Sequence, residues 1–205
     1  MIRTRLLAAA SALAVIGGAV TMLVALVAAP GSWLVGYVSE AGTAGVPYAI
    51  PYRLGLVTLA VGVALLGAAV RLPFASPALF AAAGLAAVSG VVPCTNRCPL
   101  PPYDPTTPAD VVHAGATILG MLTLAAAMAS IWWYASEPTL ERLAAVGVAL
   151  TVPLGAALGL TMLLAGRGTL GAILERLLLA EAVVWLVGTA VVTARARTRA
   201  DSLAN

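Results

Sequence analysis

The sequence predicts an all-α polytopic membrane protein, a bundle of six transmembrane helices forming one domain over residues 1–205. Three observations predict it. Hydrophobic residues make up 61% of the chain. Charged residues make up only 9%, against roughly a quarter in an ordinary soluble domain. The apolar residues also fall into six runs bounded by charges, Pro and Gly, and a bilayer-crossing helix uses about 20 such residues. This composition excludes a disordered chain, a water-soluble enzyme and a nucleic-acid-binding module. Membrane lipid is the expected partner, and no nucleic acid is expected.

The first span covers about 6–28, with no charge inside it. Behind Arg3 and Arg5 it could be a signal peptide, but the run is longer than a signal h-region of about 7–15 residues. An uncleaved first helix is the preferred reading. The loop to Tyr52 carries Trp33, Tyr37, Tyr48 and Tyr52, residue types suited to the membrane–water interface. Spans two and three, about 53–70 and 77–92, are short, with Arg71-Leu72-Pro73 as a tight turn between them. The stretch 93–110 has 6 Pro among its 18 residues and cannot be helical throughout. Span four, about 111–134, ends on Trp132-Trp133-Tyr134. Span five is about 143–165 and contains Pro153. Span six starts near 170–177, taken as about 174, and ends at 194, before Arg195, Arg197 and Arg199.

All 11 basic residues are Arg, and they orient the bundle. With the N-terminus inside, seven (Arg3, Arg5, Arg71, Arg142, Arg195, Arg197, Arg199) lie on the cytoplasmic side and four (Arg53, Arg97, Arg167, Arg176) on the outer side. That bias satisfies the positive-inside rule and places both termini in the cytoplasm. It also puts the two cysteines, Cys94 and Cys98, outside, where disulfides persist. Their C-x₃-C spacing is not the C-x-x-C of thiol oxidoreductases. A structural disulfide is the expectation, with free thiols as the alternative. No metal site is expected, because two thiolates do not fill a zinc shell.

The stretch Tyr37-Val38-Ser39-Glu40-Ala41-Gly42, followed by Tyr52-Arg53-Leu54-Gly55-Leu56, resembles the first signature of the domain-of-unknown-function 998 family. The second signature is a Pro-containing outer loop leading to a His at the start of helix four. It is similar to Val92-Pro93-Cys94 through Asp110-Val111-Val112-His113. The Cys-containing loop looks like the actinobacterial form. The motifs cover residues 6–134, and the last two spans resemble the family by hydrophobic pattern. The resemblance implies six helices in a bacterial inner membrane and carries no established reaction, substrate or cofactor.

Ionisable residues within or beside membrane spans are costly and are functional candidates by default. Those expected to gather at the outer end of the bundle are Ser39, Glu40, Arg53, Asp110, His113 and Glu181. Glu181 should lie one turn below the start of span six, at the height of Arg53 and His113. Plainer roles stand beside these: a helix N-cap for Asp110, an interfacial snorkeller for Arg53, a loop charge for Glu40 and a packing residue for His113.

With one His, a bis-histidine haem and a three-His zinc centre are excluded. No phosphate-binding or dinucleotide-binding glycine motif occurs, and no cofactor is expected. Gly155 and Gly159 form a G-x-x-x-G, expected to serve packing within the chain. Whether the protein is an enzyme stays open. The leading expectation is a non-enzymatic membrane protein binding a lipid or small amphiphile in an outward polar pocket. The alternatives are an intramembrane lipid hydrolase or transferase using His113 and a carboxylate, and a small proton-coupled transporter using Glu181.

Overall fold

The computed structural model describes residues 2–30, 33–99 and 103–202, with side chains as far as 195. Leu100, Pro101 and Pro102 of the Pro-rich loop, and the side chains of Arg197 and Arg199, lie outside the described residues. The chain forms α1 (Ile2–Ala28), a 3-10 helix (Val38–Gly42), α2 (Ala49–Ala69), α3 (Ala75–Val91), α4 (Pro108–Tyr134), α5 (Pro138–Ala165) and α6 (Thr169–Ser202), with no strand among the described residues. All five α-helices other than α3 are long and apolar enough to cross a membrane. The 17 residues of α3 span roughly 25 Å at 1.5 Å per residue.

Each helix packs on its neighbours in sequence, and α6 returns to α1, so the six form a closed ring. The tightest seam joins α1 to α2. A Cβ added to Gly18 would lie 2.5 Å from the Gly55 carbonyl oxygen and 2.6 Å from the Leu59 nitrogen, so the two backbones approach where only glycine fits. Across the same seam the Ser11 hydroxyl donates to the Gly62 carbonyl at 2.7 Å.

Helix starts differ from the sequence expectation where charges were read as boundaries. The α4 start is a capping box. The Thr107 hydroxyl accepts from the Asp110 N–H at 3.3 Å, the Asp110 carboxylate accepts from the Thr107 N–H at 2.7 Å, and Pro108 presets the first turn. In α5, Glu137 accepts the Leu140 N–H at 2.7 Å, so Glu141 and Arg142 are helical. The shift in α6 is as large as that in α5: it begins at Thr169 instead of near 174. Glu175 and Arg176 sit inside this helix because both have partners on the loop above it.

The side chains are distributed as a lipid solvent requires. Leu13, Leu164 and Val184 point outward. Leu66, Leu79, Met128, Ile131, Trp185 and Leu186 fill the centre. This core belongs to one half of the ring, near the end where Phe74 packs on Tyr134 with ring centroids 5.6 Å apart. The opposite end is where segments 33–48, 92–99 and 166–168 meet. There the apolar core is reduced to a small cluster of Ala25, Val38, Ala41 and Tyr52. Tyr37 and Tyr52, expected at the interface, are buried, whereas Trp33 and Tyr48 are exposed.

Candidate functional site

The loop end of the ring is held by charged side chains that fasten segments distant in sequence. Arg167, in the α5–α6 turn, donates to the Arg97 carbonyl and pairs with Glu40. Glu40 also accepts the Tyr37 N–H at 2.7 Å, closing the turn that starts the 3-10 helix. Gly36 has a φ of 82°, and a Cβ there would meet the Glu40 carboxylate at 2.8 Å. Glycine is therefore required on both counts. Arg176 reaches up to the carbonyls of Gly36, at 3.0 Å, and Trp33. Beside it the Glu175 carboxylate accepts the Val38 N–H at 2.6 Å and is bonded by the Ser39 N–H.

Tyr37 is buried under this network. Its hydroxyl lies close to Gly171, where an added Cβ would be 2.9 Å from it, and has no hydrogen-bond partner among the described residues. Burial, then the Glu175 charge, pushes its pKa above the ordinary value. The Arg167 guanidinium, 5.8 Å from the ring centroid, opposes this, and Glu40 adds to it. The phenol is therefore a hydrogen-bond donor throughout the physiological pH range.

The second wall is the Cys loop and the first turns of α4. Cys94 and Cys98 are disulfide-bonded, with Cα atoms 5.0 Å apart. Asp110 holds this loop as well as its own helix, accepting the Thr95 N–H at 2.6 Å and the Thr95 hydroxyl at 3.0 Å. With the Thr107 hydroxyl also donating at 2.7 Å, four protein donors on one carboxylate leave it little capacity for anything else. His113 Nδ1 lies 2.9 Å from the Val92 carbonyl oxygen and 3.0 Å from that of Ser89. A carbonyl can only accept, so Nδ1 carries a proton, and Nε2 is the ring nitrogen that can act as an acceptor. The Ser89 hydroxyl is 3.1 Å from that of Thr117, which donates to the His113 carbonyl at 2.9 Å.

Between these walls lies a small open pocket of about 80 Å³. Its polar lining is Tyr37, Ser39, Asp110, His113, Thr117 and Glu175, and the disulfide forms part of its rim. On the membrane side it continues past Ala114 and Ile118 of α4 and Met162 of α5. The reason is visible in α5: its buried residues are Ala144, Gly147 and Thr151, and none follows Thr151. A Cβ added to Gly155 or Gly159 would meet nothing within 4 Å. The G-x-x-x-G motif, expected to pack within the chain, instead borders open space.

The family described as Protein of unknown function (DUF998) matches residues 7–192. The chain belongs to this family. The match runs through α5 and into α6, beyond the residues that carry the motif resemblance. No curated protein and no solved structure matches the chain. Within this family member, the two signature stretches, 37–42 and 92–113, supply facing walls of the pocket.

The structure brings Ser39, Asp110 and His113 to the pocket lining and sets Glu40 behind it as a clamp. Arg53 turns away to α3, whose last turn it caps by donating to the carbonyls of Gly90 at 2.9 Å and Val91 at 2.7 Å. Glu181 does not join them: its carboxylate accepts the Thr151 hydroxyl at 2.6 Å. Because α6 starts at Thr169, Glu181 lies about three turns into the helix, roughly 18 Å deep, where one turn was expected. Glu175, about 9 Å shallower, takes the place that sequence reasoning gave to Glu181. Its signal was the G-R-G-T turn at 166–169 followed by an apolar residue at 170, which marks an earlier helix start.

The donor atoms of Cys94, Cys98 and His113 all lie within 4.8 Å of one another. With the sulfurs bonded to each other, that trio offers no thiolate to a metal.

Proposed function

We propose that this protein spans the bacterial inner membrane six times, with both termini cytoplasmic, and holds a lipid or small amphiphile in the outward pocket. The carrying observation is the pocket's two-part lining: polar groups at the loop end, then an apolar cleft where the outer half of α5 buries nothing. An amphiphile fits that gradient, its head among Ser39, His113 and Glu175 and its tail between α4 and α5. Association from within the bilayer needs no aqueous route for the tail.

The arginines support the orientation. Arg53, Arg167 and Arg176, at the loop end, are all bonded to backbone carbonyls or Glu40. Among the described residues at the other end, Arg3, Arg5, Arg71 and Arg142 have no hydrogen bond or ion pair within the chain. At the loop end Arg97 alone, exposed on the Cys loop, has a side chain without such a bond, so the excess of unbonded cations lies at the end proposed to be cytoplasmic.

A second reading, acid–base chemistry on the bound amphiphile, is favoured by His113, whose fixed Nδ1 proton leaves Nε2 able to accept one. Glu175 is the carboxylate available to it, since Asp110 is saturated. The transport reading gains no such observation, because Glu181 is engaged by Thr151.

The test is retention of a fluorescent monoacylglycerol by detergent-purified protein. Ala114→Trp, which fills the cleft, should abolish retention. Leu160→Trp, on the exposed face of α5, should leave it unchanged. Equal retention by both variants would remove the pocket from the account.

A further inference from the structure

We infer that the head group this pocket selects is uncharged and hydroxyl-bearing, a glycerol or sugar alcohol rather than a phosphate, carboxylate or amine. The inference rests on the amphiphile-binding reading and names its chemical class.

It follows from what the pocket offers once internal bonds are subtracted. Asp110 is saturated by Thr95 and Thr107. Glu175 has given two acceptor sites to the backbone of Val38 and Ser39 and retains others. His113 retains Nε2 as an acceptor. On the donor side, the buried Tyr37 hydroxyl has no partner, and the Ser39 hydroxyl is bonded to nothing among the described residues. The unspent groups are thus mixed: acceptors at Glu175 and His113, a donor at Tyr37, and either role at Ser39.

Charge points the same way. No Arg lines the pocket. Arg53, Arg167 and Arg176 are directed at carbonyls and Glu40. Two carboxylates do line it. An anionic head would meet no cation in the lining, Arg97 lying exposed on the Cys loop outside it, and its ionised oxygens could not donate to Glu175 or Nε2. An ammonium could donate to both but would leave Tyr37 without an acceptor. A hydroxyl donates and accepts at one atom, and a vicinal pair of hydroxyls satisfies both sides at once. A buried group left unpaired is the penalty that makes such recognition selective.

The experiment is displacement of a fluorescent monoacylglycerol from the full-length protein in neutral detergent at pH 7.5. The competitors share one oleoyl or oleyl chain: monooleoylglycerol, lysophosphatidic acid, oleic acid and oleylamine. Monooleoylglycerol is expected to compete at about tenfold lower concentration than any charged one, the ratio for one lost charge-assisted bond. Tyr37→Phe should narrow its advantage over oleylamine. Ser39→Ala should weaken it severalfold, and that variant leaves the backbone bonds of the loop in place. Glu175→Gln should narrow its advantage over lysophosphatidic acid, and the wild-type ranking stands alone if that variant misfolds. Lysophosphatidic acid or oleylamine competing as well as monooleoylglycerol would overturn the hydroxyl assignment while leaving amphiphile binding intact. Failure of the fluorescent monoacylglycerol to bind, with none of the competitors protecting the protein against heat, would overturn both.

Discussion

At the scale of single residues, the polar groups of this chain divide by what their bonds leave over. Asp110 spends its whole carboxylate on Thr95 and Thr107, so its N-terminal helix position was readable from the sequence, but its hold on the Cys loop was not. Asp110→Ala should lower stability by about 1–3 kcal/mol, seen as a fall in Tm in detergent. Amide exchange should also become faster at Thr95. Arg53 and His113 were legible as rim residues because both follow loops. Their partners were not legible, since the Gly90, Val91, Ser89 and Val92 carbonyls are backbone groups of another helix's end. Glu181 was correctly singled out as a carboxylate inside a span, and its depth was wrong by about two turns. In the structure its partner is Thr151. Thr151→Val strands that carboxylate and should cost about 1–3 kcal/mol, while Thr151→Ser should restore most of it. Neither change should alter amphiphile retention if head-group recognition belongs to Glu175.

At the scale of elements, hydrophobic runs located all six α-helices but not the 3-10 helix Val38–Gly42, and the other errors lay at the ends. An apolar run stops at a charge, but a helix stops only where its backbone groups find other partners. Glu141, Arg142, Glu175 and Arg176 are helical for that reason. Helix contacts were less legible, because glycine patterns do not say which face meets a neighbour. Gly155 and Gly159, in the conspicuous motif, border open space, whereas Gly18 and Gly55 form the α1–α2 seam. The adjacent Gly17 and Gly18 make the comparison clean. Gly18→Ala forces α1 and α2 apart and should destabilise by about 1–3 kcal/mol, the usual cost of overpacking. Gly17→Ala, with nothing within 4 Å, should be neutral or mildly stabilising, since alanine is the better helix former. Thermal denaturation of the two variants side by side decides it, and equal loss in both would place the seam elsewhere.

For the whole molecule, the ring closure and the charge distribution both bear on the proposed orientation. Six helices in sequence order, with α6 returning to α1, put the start of α1 and the end of α6 at the same end of the ring as the Phe74–Tyr134 contact. The disulfide and the clamp of Glu40 and Arg167 lie at the opposite end. A cation already bonded to carbonyls has part of its charge balanced by the fold, so Arg53, Arg167 and Arg176 weigh less in setting topology than the exposed Arg97 does. Arg3, Arg5, Arg71 and Arg142 keep their full charge, which suits the proposed cytoplasmic side, and the disulfide suits an oxidising compartment. The two demands agree on one orientation. Thr106→Cys, in the loop before α4, should therefore react with an impermeant maleimide in intact cells. Ser136→Cys, in the turn between α4 and α5, should react only after permeabilisation. Cys94 and Cys98 should stay unmodified in both until a reductant is added, which makes the native pair an internal control. Labelling of Ser136→Cys in intact cells would invert the molecule, and the pocket would then face the cytoplasm and draw its amphiphile from the inner leaflet.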